Sequence, residues 1–579
     1  MPEVGDRVVA QPVLSNGARL VFLGLTGVAV AALSFFLLYV PWYNPSNPSL
    51  ALVVFIPFTL FHFGCWLVRW LAIWRMRRPV PMEPQEGLRV AVATTYVPGA
   101  EPIGMLEQTL RALVALEYPH DTWVLDEGDD PRVAQLCAKL GARHWSRVNN
   151  PERLTSDGPY ARATKYGNYN AWLADHAYAN YDVVAAFDTD HIAEPQFLRR
   201  VLGYFRDPAI AFVQAPQVYY NQDASFIARG AAEETYGFYS VHEMATYGAN
   251  HPIIVGCHNT HRVSALKAIG GLSPHDADDL MLTLLYRAGG WRGVYVPEIL
   301  ALGTTPVNWY DYLRQQVRWT KSVVEIKLHR LPGLVSRLPV ADRVLGIFHG
   351  VYYLRSLALG IAYATVMLLL LTGHRPYFTE HPVLIGMASL AILGSVIGRF
   401  ARPYYLDPKR ESGVHWRATL LQFAKWPYQW LALWRAIRRG PAPYAITHKV
   451  PRKSPRAWVL WPHVIVGSAM LLAYALGSRI HGVHLGLTLL TLVMGALPLA
   501  IAASEWRHYP PPWEPQLYAR RRALLTDLLG PDAWRGPDRD TPPDPAPWVR
   551  PVLERRRAPR PTPVAHEDRP TASPSPPTQ

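Results

Sequence analysis

The sequence predicts an α/β domain with a mostly parallel sheet, inserted in an α-helical membrane domain. Three observations predict it. Apolar runs long enough to cross a bilayer lie before Arg78 and after Val344. Between them, apolar runs of strand length end in turn residues and alternate with helix-like stretches. Acidic or polar clusters follow in order: VLDEGDD (Val124 to Asp130), FDTDH (Phe187 to His191), HDADD (His275 to Asp279) and QQVRW (Gln315 to Trp319). Alternating strands and helices imply a sheet covered on both faces, with ligands bound beyond the carboxyl ends of its strands.

The membrane elements come first in the chain. Leu20 to Val40 carries no charge, and no small-residue cleavage site follows it, so it reads as an anchor. A second span runs from Leu50 to Val68 and stops at Arg69, with Arg75, Arg77 and Arg78 beyond. The uncharged PWYNPSNPS between the two puts the basic edge, the N-terminus and the polar region after Arg78 on the cytoplasmic side. Further spans are expected at Val344 to Leu371, Val383 to Gly398, Ala457 to Leu476 and Leu485 to Ala503, about six in all. Val414 to Ile437 mixes tryptophans with Arg417, Lys425 and Arg435 around Pro427. It is expected to lie in the headgroup layer, since a central lysine is costly in lipid.

The resulting division is residues 1–78 (two spans), 79–340 (cytoplasmic domain), 341–506 (membrane domain with the interface helix 414–437) and 507–579. The last segment alternates Pro with Arg and Asp and is expected to be a disordered tail without a core.

Composition bounds the function. The 579 residues carry 58 Lys+Arg against 44 Asp+Glu, a net charge of +14. Many basic residues flank apolar spans, where anionic lipid and the positive-inside rule account for them, so nucleic-acid binding is not expected. Cys65, Cys137 and Cys257 are scattered, which implies neither a disulfide framework nor a zinc site. The spans hold no intramembrane acids or broken symmetric helices of the kind a transporter uses.

RVAVATTYVPG, WVLDEGD and VVAAFDTDH are the strand-then-loop units, and Asp126, Asp188 and Asp190 fall at their ends. Residues two apart on an extended segment point the same way, so Asp188 and Asp190 can face one site. Carboxylate oxygens suit magnesium or manganese, the hard cations a diphosphate needs. In HDADD, Asp278 or Asp279 is either a helix cap or a general base. Gln315, Arg318 and Trp319 share one helical face, as an amphipathic surface or as an amide, a cation and an indole gathered at a site.

In this order and spacing the clusters resemble the processive family-2 glycosyltransferases, most closely the catalytic subunit of bacterial cellulose synthase. The resemblance covers Arg89 to Ser322 and the membrane segments beyond, and includes KYGNYNA (Lys165 to Ala171), FVQAPQVYYNQD (Phe212 to Asp223), GCHNTHRVSALKAIGG (Gly256 to Gly271) and YAITHK (Tyr444 to Lys449). It implies a Rossmann-like GT-A-type domain and an inverting, metal-dependent transferase of the inner or plasma membrane. Such an enzyme would add glucose from UDP-glucose to a β-glucan and pass the polymer through the bilayer.

By the same resemblance, Thr95, Tyr96 and Asp126 hold the uridine, Lys165 and Asp188 bind the nucleotide sugar, and Asp190 and His191 serve Mg2+ or Mn2+ and the diphosphate. Asp279 is the base, with Asp278 beside it, as counted back from Gly290 and Trp291. Arg318 steadies the departing diphosphate, and Trp319, Gln315 and His258 meet the acceptor glycan. Thr447 and Lys449 belong to a gating-like loop, residues 441–453. An accessory export subunit is a possible partner by the same analogy.

The departures bear on which polymer is made. The family's Asp-Asp-Gly is Asp126-Glu127-Gly128, its Thr-Glu-Asp is Ala277-Asp278-Asp279, its Phe-Phe-Cys-Gly ends here as Ile-Ile-Val-Gly at Gly256, and its gating Phe is Tyr444. Other UDP-hexose polymer synthases (hyaluronan-, chitin- or curdlan-like) and a non-processive lipid-linked transferase are the alternatives. The segment after the last span lacks Asp-x-Ser-x-x-Gly, so control by a cyclic dinucleotide is not expected.

Overall fold

The structure, a computed structural model, describes residues 7–42, 56–438, 459–507 and 514–530. Its centre is a seven-stranded sheet. In chain order these strands are β1 (Val90–Tyr96), β2 (Asp121–Asp126), β3 (Arg143–Trp145), β4 (Val183–Phe187), β6 (Ile210–Gln214), β8 (Asn259–Arg262) and β9 (Arg292–Tyr295). They lie side by side as β9-β6-β8-β4-β1-β2-β3. β8 runs antiparallel to both neighbours and every other pair is parallel. Ala91, Val92, Ala93 and Thr94 are all fully buried, as expected of a strand covered on both faces. Alternation divides them between layers. Val90 and Val92 join one core with Phe187, Phe197 and Trp70, while Ala91 and Ala93 join another with Trp123, Leu125 and Trp172.

Register aligns the strand ends. Tyr96 pairs with Asp126 and Thr94 with Phe187, so the loops after β1, β2 and β4 emerge together on one edge. A three-stranded sheet sits beside that edge, built from β5 (Ile192–Ala193), β10 (Ala301–Gly303) and β7 (Val218–Tyr219). It continues the chain directly out of the FDTDH cluster and brings Thr304 back to it.

Six helices among the described residues are long and apolar enough to cross a membrane: Asn16–Leu38, Ile56–Trp74, Val340–Thr372, His381–Tyr404, Trp461–His481 and Leu485–Ser504. The second does not stop at Arg69. It runs on to Trp74, because Trp70 and Ile73 are buried against the domain and give the basic end a packing partner. Ala10–Pro12 pairs antiparallel with Arg77–Pro79, which fastens the segment before the first helix to the segment after the second. At the other end of the bundle Arg375 donates to the carbonyl of His481 at 2.5 Å, joining two interhelical loops.

The segment expected in the headgroup layer differs in detail. It is two helices, Trp416–Ala424 and Trp426–Ile437, joined at Lys425. Lys425 is 6% exposed and does not reach a lipid surface. Its ammonium pairs with Glu234 at 2.9 Å and donates to Gln316 at 3.2 Å, and Tyr312 donates to the same Glu234 at 2.6 Å. The counter-charge lies 191 residues away, beyond the reach of any periodicity argument.

Removing one member of such a buried pair strands the other. Lys425→Met is therefore expected to destabilise the protein by about 3–5 kcal/mol, read as a lower melting temperature in detergent. Arg89→Met, which breaks an exposed pair with Asp182, should change it little.

The tail expectation fails at Glu514–Leu529, which forms a helix with Arg521 and Leu525 fully buried. Averaged over a Pro-rich segment, its LLTDLL end is invisible, but four leucines suffice to dock one short helix.

Candidate active site

The strand ends place four groups of side chains around one cleft. Lys165 opens the helix Lys165–Trp172, whose first turn is capped by Thr164 accepting from the Gly167 N–H at 3.1 Å. From there its Nζ donates to Asp188 Oδ1 at 2.6 Å and to the Gly256 carbonyl at 3.0 Å. Burial favours a neutral amine, but Asp188, Tyr169, Asp278 and Cys257 together outweigh it and hold Lys165 well above its ordinary range.

Gly256 joins this donor side to the second acidic cluster. Its N–H donates to Asp279 Oδ2 at 2.9 Å while its carbonyl accepts from Lys165. Its φ of +41° lies in the left-handed region, where a side chain would be strained. Asp278 and Asp279 begin the helix Asp278–Ala288, where the helix dipole favours anions. Burial raises both carboxyls, and for Asp278 the charge of Asp279 adds to it, pushing the group up to about 7. The N–H groups of Leu280 and Gly256, then Lys165 and Arg318, pull Asp279 back.

Asp188, Asp190 and His191 each offer a ligand atom within 4.8 Å of the others. Two carboxylates and an imidazole at that spacing fit a hard divalent cation. Asp190 Oδ2 accepts from the Thr304 N–H at 3.3 Å and from its hydroxyl, and Asp190 Oδ1 faces His191 Nδ1 at 3.3 Å. The backbone beneath is also held, since the Thr189 hydroxyl donates to the Thr95 carbonyl at 2.5 Å. Gly303 is required by close approach: a Cβ there would sit 2.3 Å from His191 Nε2.

The helix Trp309–Glu325, capped by Asn308 on the Asp311 N–H, carries Gln315, Arg318 and Trp319. Gln315 and Arg318 are half-buried and Trp319 is 38% exposed, the exposed aromatic of this group. Arg318 is near enough to act on Asp279.

Three expected contacts are placed differently. Asp126 is fully buried, its oxygens accepting from the Gly128 and Asp130 N–H groups and facing His144 at 3.1 Å, so its carboxylate shapes the loop after β2. Tyr96 packs with Leu106, Leu110, Val124 and Val133, which leaves Thr95 as the partly open side chain of that pair. His258 is 0% exposed with Nε2 on the Pro216 carbonyl at 2.6 Å. Burial and the neighbouring His191 push it down to about 3, so it is a neutral ring enclosed by protein atoms. Thr447 and Lys449 lie outside the described residues.

Other contributors carry no sequence signal. Glu127, which stands where a second Asp was expected, takes both Nε and Nη2 of Arg147, at 3.1 and 2.9 Å, and accepts from the Ala163 N–H at 2.8 Å. That pair braces the loop leading into Lys165. The Cys257 sulfur accepts from the Asp188 N–H at 3.1 Å.

The sequence profile described as Glycosyltransferase like family 2 matches residues 88–322, the stretch that holds these groups. Among curated proteins, the chain is 25% identical over 369 residues to a cellulose synthase catalytic subunit [UDP-forming] of Xanthomonas axonopodis pv. citri, covering 59% of this chain and 48% of that protein. It is 31% identical over 228 residues to a probable glucomannan 4-beta-mannosyltransferase 3 of Oryza sativa subsp. japonica, covering 37% and 39%. The chain thus spans less than half the length of either relative. Among solved structures, a mannosyltransferase from Pyrobaculum calidifontis in complex with GDP-Man and Mn2+ aligns at 18% identity and a TM-score of 0.47, over 67% of this chain and 98% of that one. With its mostly parallel sheet and its acidic clusters at the strand ends, the stretch 88–322 carries a glycosyltransferase family 2 domain, flanked by apolar helices.

Proposed function

We propose that the protein is a membrane-embedded, inverting, processive glycosyltransferase. On this reading it transfers glucose from UDP-glucose to the non-reducing end of a growing β-glucan and passes the polymer through the adjoining helices. The observation that carries the proposal is Gly256, whose N–H donates to Asp279 and whose carbonyl accepts from Lys165. A single residue thereby spaces a candidate base from the candidate donor site.

In the proposed reaction Asp279 takes the proton of the acceptor hydroxyl, whose oxygen bonds to the anomeric carbon from the face opposite the diphosphate. The bond from the anomeric carbon to the diphosphate oxygen breaks, and its electron pair leaves with UDP. Lys165 and Asp188 orient the donor, Arg318 meets the developing charge, and Thr95 borders the nucleotide. A magnesium or manganese ion held by Asp190 and His191, with Asp188, would neutralise the diphosphate when bound. Trp319 offers its exposed face to the terminal sugar and Gln315 its amide. The domain is assigned to the cytoplasmic side of the inner or plasma membrane on the basic residues of Arg75 to Arg78.

The test is product analysis with purified protein, divalent metal and a panel of UDP-glucose, other UDP-hexoses and GDP-mannose. The mannose donor is included because the rice relative is named for a mannosyl transfer. Long β-glucan from UDP-glucose is expected. Long polymer from another donor alone would replace the substrate, and single-sugar adducts alone would overturn processivity.

A further inference from the structure

The helix Glu514–Leu529 lies beyond the last apolar helix in sequence, yet it reaches the back of the FDTDH loop. Leu525 is fully buried against Ala112 and Ile192, with Leu524, Leu528 and Leu529 around it. Four residues earlier Arg521 is 0% exposed.

Its guanidinium has five N–H donors, and all five find an acceptor. Nε donates to Gln108 Oε1 at 2.6 Å. One terminal nitrogen donates to the Asp190 carbonyl at 2.8 Å and the Tyr220 hydroxyl at 3.1 Å. The other donates to the Met105 carbonyl at 3.1 Å and Thr109 Oγ1 at 2.7 Å. Thr109 uses its own proton on the Thr189 carbonyl at 2.6 Å.

Two consecutive carbonyls of Asp188-Thr189-Asp190 therefore end on one guanidinium, the second directly and the first through Thr109. All five acceptors are neutral. Burying a charged group is costly unless its hydrogen bonds are met, and here the fork geometry meets every one.

We propose that residues 514–529 form a clamp behind the cation and diphosphate site, with Arg521 as a positioning residue that fixes the backbone from which Asp188 and Asp190 project. The clamp rests on the reading of Asp188 and Asp190 given above. It acts through main-chain carbonyls rather than by touching donor or metal, so it sets the geometry of the donor site from a segment outside the catalytic sheet. Donor binding then requires the C-terminal helix to be docked.

The experiment uses the full chain in detergent and compares Arg521→Ala, Arg521→Lys and Thr109→Val with the unaltered protein. UDP binding is titrated against Mn2+, KM and kcat are measured for the preferred donor, and hydrogen exchange is followed over Phe187 to Ala193. Arg521→Ala is expected to raise the Mn2+ needed for UDP binding, and the donor KM, by about 10–100-fold, the range for residues that support metal ligands indirectly. Amide exchange in the loop should rise with it. Lysine, with one ammonium in place of the fork, should not rescue, and Thr109→Val should move the same readouts in the same direction.

Unchanged Mn2+ dependence and unchanged exchange in Arg521→Ala would overturn the clamp, as would full rescue by lysine, which would reduce the role to charge alone. If Arg521→Ala does not fold, Thr109→Val decides, and a silent Thr109→Val overturns the proposal. Failure of the unaltered protein to bind UDP with Mn2+ would strike the underlying reading instead. The exchange arm would then still judge the clamp.

Discussion

Asp279→Asn is expected to lower sugar transfer on the order of a hundredfold or more while UDP binding stays within a few-fold of the unaltered protein. The amide keeps the shape of the side chain, and an amide oxygen can still accept from the Gly256 N–H, so the spacing through Gly256 survives. Only the proton acceptor is lost. The same chemistry predicts the pH dependence. Burial raises the carboxyls of the Asp278 and Asp279 pair, and Asp278 is pushed up to about 7. A base must be ionised to work, so kcat/KM should fall as pH drops through the range to which burial raises Asp279. Asp278→Asn leaves that burial in place and should leave the acid limb where Asp279 sets it. A pH profile of initial rates checks both. Full activity in Asp279→Asn would remove it as the base.

Lys165→Met is expected to have the next largest effect, a loss of donor binding with kcat/KM down by about a hundredfold or more. The substitution removes the cation 2.6 Å from Asp188 and the donor to the Gly256 carbonyl in one step. Asp188 would then be a half-buried carboxylate without its ammonium, and repulsion from the diphosphate would replace attraction. Calorimetric titration with UDP and Mn2+ measures this directly. Retained affinity with a lower kcat would assign Lys165 to the chemical step instead of to binding.

The legible parts of the site are those where chemistry follows from local pattern. Asp188, Asp190, Asp278 and Asp279 can be found because strands ending in acids, and acids opening a helix, are short-range signals. Whether a side chain faces the cleft or the loop beneath it is a matter of tertiary partners. Asp126 sits at the right strand end but spends its oxygens on its own turn, and His258 lies one residue past Cys257 yet is sealed against Pro216. Arg147 and Glu127 are twenty residues apart, and Arg521 meets partners 301 to 416 residues away. No window on the sequence contains both halves of those contacts. The membrane helices were legible as six apolar runs, and their ends were set by what packs on them, as Trp70 and Ile73 show.

The buried node of Glu234, Lys425, Tyr312 and Gln316 has a mechanical meaning. Gln316 is the neighbour of Gln315, and the helix that bears both also bears Trp319. At its other end Trp309 donates to Ser504 on the last apolar helix at 3.0 Å. The helix that bears Trp319 is thus tied both to the Trp416–Ile437 pair of helices and to the apolar helix that holds Ser504, like a fixed post beside a doorway. Swinging the domain against those helices would break a buried charge pair. On the proposed reading, a polymer would advance past a tryptophan whose helix is anchored in both places.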